Sequence, residues 1–566
     1  MRRLLMTGIA AAALCLVPAG VSTAKSSKPE VKKWQDLRDH PVDYSRFETR
    51  RADIAKENGA GAIGPLALGL AGRNDIGNDP VIEDAKLKAA VEAMVNKLIP
   101  PDIKPPHIEI ILVDDLGIFS RLKLIPPENA EDTLEDLSAK LSSDYGAAAT
   151  PGGALVLRLG TLRATKSPDE LNFLLGHELS HLLYDHFKNE DREKAIQKLA
   201  SIGLIAASLM SRQGSADSAK STVEASLGLA LINTLLARQW DREQEEEADE
   251  LGAELAIEFG GYAPGGVYNV MQKLEDQEKE QEAALDRLCG PEHGLGHLAE
   301  DVFGGMTGVK IPPRGSNPNS PACAARKNFV SELLDQHPPA KDRDDNVRKH
   351  IALWYADLDK HRVPSPFLDA KGNKVDNFVA FASPGGDANR LALAYDGLTA
   401  LREGDMAKAK RILASLVGKK AKGEKLAPVF LLQYGIAKKE GRMAEALEAL
   451  EGATRTPQVY LLAFDLLAQE YEGAKRWADA ARTVARWREK SDDDTLYPRL
   501  IADWREAKDT DKMTKALNGC RSNSSGQLVE LCEKAALPPD PDKDHDPGKD
   551  HDKDADKPFD PSRLLP

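Results

Sequence analysis

Cysteine is scarce, with five in 566 residues and none in a Cys-x-x-Cys. That spacing argues against a zinc site built on paired thiolates. Long apolar runs are missing beyond the first residues of the chain. The two longest, Leu199 to Met210 and Leu227 to Ala237, fall short of the roughly 18 residues that suggest a membrane span, and fit buried helices better. Positive charge is short as well. The 76 Lys and Arg against 90 Asp and Glu give a formal charge of −14, which argues against non-specific binding to nucleic acid or to an anionic membrane surface. The apolar fraction is ordinary, so most of the chain should fold, and its length exceeds what one core supports.

The first 24 residues have the build of a cleaved signal peptide: Arg2 and Arg3, an apolar Leu4 to Val17, then Ser22-Thr23-Ala24. Leu14 is too bulky to precede a lipidated Cys15, so a lipoprotein signal is not expected. Loss of Arg2 and Arg3 makes the mature chain more acidic still, and export makes disulfides plausible. The remaining cysteines form two local pairs, Cys289 with Cys323 and Cys520 with Cys532, either bridged or left as buried thiols. With no later spanning segment, the mature protein is expected to be soluble.

The densest chemistry lies in Leu174 to Phe187, LLGHELSHLLYDHF. His177 and His181 are four residues apart, so on a helix both imidazoles leave one face, about 6 Å apart. Two such imidazoles suit one tetrahedral zinc ion, and Glu178 beside them is placed to take a proton from a water at the metal. Ser167-Pro168-Asp169-Glu170 supplies a start for this helix.

Upstream, Leu87, Val91, Met94, Val95 and Leu98 recur at helical spacing until Pro100 and Pro101. His107 to Val113 has strand character. Gly152 and Gly153 open a second strand, Leu155 to Leu159, which could be an edge for an extended peptide or an interior strand. Downstream, helices are expected over 190–212 and 220–258. The second carries DREQEEEADELG, Asp241 to Gly252. By composition this is a solvated helix face. Beside a His-x-x-x-His helix it could also supply a third, carboxylate ligand and leave one position open for water.

H-E-x-x-H followed by Arg242, Glu245, Glu247, Ala248, Asp249 and Gly252 in the pattern R-x-x-E-x-E-A-D-x-x-G resembles the gluzincin metallopeptidases of the CAAX-prenyl-protease and heat-shock-membrane-protease family. A third element, Gln336-His337-Pro338-Pro339 through Arg343, is similar to that family's T-H-P-P-x-x-x-R segment. The resemblance spans about residues 80 to 350. It implies one zinc per chain held by His177, His181 and Glu245, with Glu178 as base. It also implies that Asp249 hydrogen-bonds a ligand His, and that His337 steadies an oxyanion or fills the open position. Glu243, Glu246 and Glu247 would be surface acids and Arg343 structural. Asp241 and Gly146 depart from the pattern without touching a ligand.

Residues 286–325 read as an inserted loop pinned by Cys289–Cys323. His293 and His297 within it are four apart, but Gly294 and Gly296 argue against a helix there. In the C-terminal third, Met406, Met443, Trp477 and Met513 align related segments at intervals near 34 residues, the tetratricopeptide period. A plain helical bundle is the alternative. From Pro538 the chain alternates charges and should be disordered, with weak cation binding at most around Asp542.

The expected organisation is a signal peptide (1–24), an irregular extension (25–80) and an α+β zincin-like peptidase domain, mostly helical with a small sheet (81–350). A linker (351–390), all-α tetratricopeptide-like repeats (391–535) and an acidic tail (536–566) follow. The function expected is an exported zinc metalloendopeptidase acting on proteins or peptides. The resemblance further implies a periplasmic role in quality control of misfolded outer-membrane proteins, with secretion as the alternative location, and the repeats themselves suggest binding of protein partners. The alternative is a periplasmic chaperone or assembly factor acting mainly through the repeats, with latent proteolysis. No nucleic acid is expected as a partner.

Overall fold

A computed structural model describes residues 31–45, 47–49, 81–114, 147–150, 152–188, 242–287, 339–358, 364–417, 426–457, 460–491, 494–524 and 527–538. The signal peptide, the Cys289–Cys323 pair with nearly all of the 286–325 loop, the helices over 190–212 and 220–241, His337 and the tail beyond 538 lie outside them.

The centre of the first half is α4, and the elements before it build its surroundings. They are α1 (Lys33–Asp39), α2 (Ala85–Leu98), strands β1 (Glu109–Val113), β2 (Ala147–Ala149) and β3 (Ala154–Arg158), and the short α3 (Leu159–Ala164). Helix α4 itself is Pro168–Leu183. Ser167 caps it by accepting the Glu170 N–H, and Pro168 occupies the first turn, where its missing N–H costs nothing. Leu171, Leu175, Leu179, Leu182 and Leu183 enter the main core, while Phe173 and Leu174 enter a second one. A helix buried on all sides needs such apolar faces all round.

The sheet has the order β1-β3-β2, with β1 and β3 parallel (Ile110 opposite Leu155) and β2 antiparallel to β3 (Ala148 opposite Val156). The Ala154–Arg158 strand is therefore interior, and Leu159 already belongs to α3. The substrate edge suggested for Leu155 to Leu159 is corrected: among the described residues, the edge beside α4 is β2. Its three alanines carry no β-branched signal, and the strand exists through pairing with β3. Gly153 is required at the turn before β3. Its φ is +90°, and a Cβ there would come within 2.4 Å of the His107 carbonyl oxygen and 2.6 Å of the Phe47 ring.

The 25–80 stretch is not irregular throughout. Residues 31–45 and 47–49 include α1 and pack into the main core through Leu37 and the fully buried Phe47. The hydroxyl of Tyr44 donates to the Leu183 carbonyl at 2.6 Å, satisfying a group at the C-terminal end of α4.

Helix α5 (Arg242–Glu254) continues as a single π-helical turn, Leu255–Phe259, and is followed by α6 (Gly265–Arg287) and α7 (Ala340–Trp354). Buried Glu254 accepts the first N–H groups of α1, from Lys33 and Trp34, each at 2.8 Å, and lies 2.8 Å from His350 Nε2.

The described residues of the 351–390 stretch, expected to be a linker, belong to the folded core. Helix α7 runs to Trp354, and β4 (Phe367–Leu368) pairs with β5 (Lys374–Val375). A 3-10 turn, Phe378–Phe381, brings Phe378 and Val379 with Phe367 into the main core. Ser383 donates its N–H and hydroxyl to the buried Asp84. The core thus runs on without a break into the helices that follow.

Those helices come in successive pairs: α8 (Asp387–Arg402) with α9 (Met406–Val417), α10 (Ala427–Lys439) with α11 (Met443–Ala453), α12 (Leu461–Gly473) with α13 (Trp477–Ser491), and α14 (Tyr497–Glu506) with α15 (Thr510–Asn523). Each pair turns through one left-handed residue, Gly404, Gly441, Lys475 or Lys508. The next N–H reaches back to the helix before it: Asp405 to Ala400, Arg442 to Ala437, Arg476 to Tyr471, and Asp509 to Trp504. This is the Schellman end, repeated four times among the described residues. It places Thr510, not Met513, in the position of Met406, Met443 and Trp477. A disulfide joins Cys520 in α15 to Cys532 in α16 (Gln527–Ala536). Asp114, fully buried just after β1, accepts hydrogen bonds from the hydroxyls of Tyr395 and Tyr460, tying the helix pairs to the sheet. No helix among the described residues is long and apolar enough to cross a membrane.

Candidate metal centre

His177 and His181 sit one turn apart on α4, and Glu245 faces them from α5. Their ring nitrogens Nε2 are 3.2 Å apart, and each lies 3.7 Å from a carboxylate oxygen of Glu245. All three side chains are buried, and one donor atom from each lies within 4.8 Å of the others. Donors around a tetrahedral ion with bonds of about 2.0–2.1 Å stand about 3.3 Å apart, so the set fits such an ion with small adjustments.

The two helices come this close because glycine meets glycine. A Cβ on Gly252 would sit 2.7 Å from the His177 backbone nitrogen and 2.9 Å from its Cα, and one on Gly176 would sit 2.8 Å from the Gly252 carbonyl oxygen. These are main-chain atoms, which move only with the whole helix. Gly252→Ala should therefore destabilise the fold by about 1–3 kcal/mol. It should also weaken metal binding at least about tenfold, since a site tolerates displacements of only about 0.5 Å. Unfolding with and without metal measures both, and a variant with unchanged metal affinity would show that the crossing does not set the site.

On α5, Glu245, Asp249 and Gly252 recur at i, i+4 and i+7 and share one face. Asp249 Oδ1 lies 3.0 Å from His177 Nδ1. Arg343, from α7, spans both acids. Its Nε and Nη2 donate to the two oxygens of Asp249 at 2.7 Å each, and its Nη1 lies 3.1 Å from Glu245 Oε2. Burial works to raise the Asp249 carboxyl, but Arg343 and His177 hold it below the usual carboxylate range. Burial, with Glu245 nearby, pushes the Glu178 carboxyl above that range, against the pull of His177. Glu178 Oε2 accepts the N–H of Ala149 at 2.7 Å, so this carboxylate is anchored on β2.

Residues 137–351 match the model of peptidase family M48. The matched part of the chain contains the site and ends before the paired helices. No curated protein matches the chain.

The matched segment contains contacts that sequence reasoning overlooked. Arg343, expected to be structural, reaches both Glu245 and Asp249 with its guanidinium. Glu246 accepts from Asn346, and Glu247 lies 3.4 Å from His186 Nε2, so neither is a plain surface acid; Glu243 is exposed. His186 itself stands 2.8 Å from His181 through their Nδ1 atoms. A lone histidine five residues past the motif gives no signal of that approach. His337, expected near the metal, lies outside the described residues.

Proposed function

We propose that the chain is an exported zinc metalloendopeptidase, with one zinc held by His177, His181 and Glu245. The convergence of two imidazoles and a carboxylate from α4 and α5, beside an anchored Glu178, carries this reading. An N/N/O donor set with one position left open suits catalytic zinc. When bound, the ion polarises a peptide carbonyl and makes water a better nucleophile at neutral pH.

The chain's own residues do the rest. Glu178 removes a proton from the attacking water and passes it to the departing amine. Ala149 N–H fixes which oxygen of Glu178 faces the reacting water. An extended substrate would pair with β2, which brings a peptide carbonyl past the site in a fixed register. His337 is assigned to the oxyanion or to the open position, on the family resemblance alone.

The Cys520–Cys532 bridge supports an oxidising compartment and hence export. The helix pairs, with their 34-residue period, support tetratricopeptide-like repeats that bind protein partners, and a periplasmic quality-control role follows from the resemblance. The test is metal content of the purified mature chain, wild type beside Glu245→Ala, with casein cleavage followed on the same samples. One zinc per chain and chelator-sensitive cleavage, both lost in the variant, is the expected result. A wild type that takes up no metal on reconstitution would sink the proposal.

A further inference from the structure

Metal-ligating histidines are normally oriented by a hydrogen bond at the ring nitrogen away from the ion. For His177 that partner is Asp249. For His181 it is an imidazole, and a specific local device puts it there. Helix α4 ends at Tyr184, and Asp185 adopts a left-handed backbone with φ +47°, a conformation uncommon outside glycine. The turn reverses the chain so that His186 lies back against His181, ring centroids 5.0 Å apart and nearly perpendicular. The Tyr184 ring lies parallel to the His186 imidazole, at 5.4 Å between centroids and 5° between planes. Gln244 on α5 donates to the His186 carbonyl at 3.1 Å, fixing the backbone from the opposite helix.

The tautomers follow from this geometry. If His181 Nε2 directs its lone pair at the ion, its proton must reside on Nδ1. Nδ1 then donates to His186 Nδ1 across 2.8 Å, which makes that atom an acceptor and places the second proton on His186 Nε2. Glu247 Oε2, 3.4 Å from Nε2, favours that arrangement. We propose that His186 is a positioning residue of the metal centre, fixing the tautomer and tilt of His181, with Glu247 holding His186 in turn. The inference rests on the reading of His181 as a ligand.

Two replacements separate the hydrogen bond from packing. His186→Phe keeps a ring against Tyr184 but offers no acceptor. His186→Asn places an amide oxygen near the lost Nδ1. In the full mature chain, zinc affinity is measured by competition with a chromophoric chelator. The visible spectrum of the cobalt-substituted protein and the unfolding midpoint of the metal-free protein are followed in parallel. The Phe variant should bind metal about 10- to 100-fold more weakly, with an altered cobalt spectrum. Its metal-free unfolding midpoint should be close to wild type, and the Asn variant should recover most of the affinity. A Phe variant with wild-type affinity and spectrum would overturn the inference while leaving the metal centre standing, as would an Asn variant no better than Phe. A wild type that binds neither zinc nor cobalt would remove the metal centre and this inference with it.

Discussion

Glu178→Gln should lower kcat/KM on an unfolded protein substrate by about 10³-fold while leaving metal content unchanged. General acid–base catalysis is worth roughly 10²–10⁴-fold, and in the proposed reaction one carboxylate serves both proton transfers. The replacement isolates that role. Gln fills the same space, and its amide oxygen can still accept the Ala149 N–H that Glu178 Oε2 now accepts at 2.7 Å. What it loses is a site for the proton taken from water. Cleavage assays paired with metal analysis on the same preparation decide the matter. Near-wild-type cleavage by the variant would remove Glu178 from the chemistry. A variant without cleavage that still restored a deletion phenotype would favour the chaperone reading, in which the helix pairs do the work.

Removal of the Arg343 guanidinium should produce the largest loss of stability, and one that metal partly reverses. Arg343 is almost fully buried and pairs with two buried acids, Glu245 and Asp249. Arg343→Met would leave both carboxylates in a low-dielectric site without their cation. Breaking a buried pair in this way costs about 3–5 kcal/mol. A divalent cation at the histidines would replace part of the missing positive charge beside Glu245. The variant's deficit should therefore be largest in chelator and shrink when zinc is added, whereas a packing defect would be the same in both. Denaturant unfolding of both proteins in each condition tests this, and a deficit that zinc does not change would refute the electrostatic account.

How legible the site was depended on how local each relationship is. The His177–His181 pair and Glu178 follow from four-residue spacing on one helix, and the start of that helix follows from Ser167 and Pro168. Helix α2, the strand before residue 114 and the paired helices are likewise visible as periodicity. The place of Glu245 needed the family resemblance, because its acidic run looks like any solvated helix face. The position of β3 inside the sheet and of β2 at its edge could not be read. Three alanines at Ala147–Ala149 become a strand only when β3 lies beside them. Similarly, Phe367 and Phe378 sit in a stretch whose composition suggests a linker, and they are core residues because the helix pairs close over them.

The amino-acid order by itself placed His177, Glu178 and His181 together on one helix and marked the segments able to become helices, since these depend on residue type and on spacing within a turn. Tertiary structure decided which acids of Asp241 to Gly252 face the histidines, that Gly176 and Gly252 are the crossing point, and that Arg343 and His186 belong to the site. The physical reason is distance. Charge pairing, helix crossing and imidazole–imidazole contact act over a few ångströms, and chain positions as far apart as 249 and 343 reach that range only after the two cores have packed.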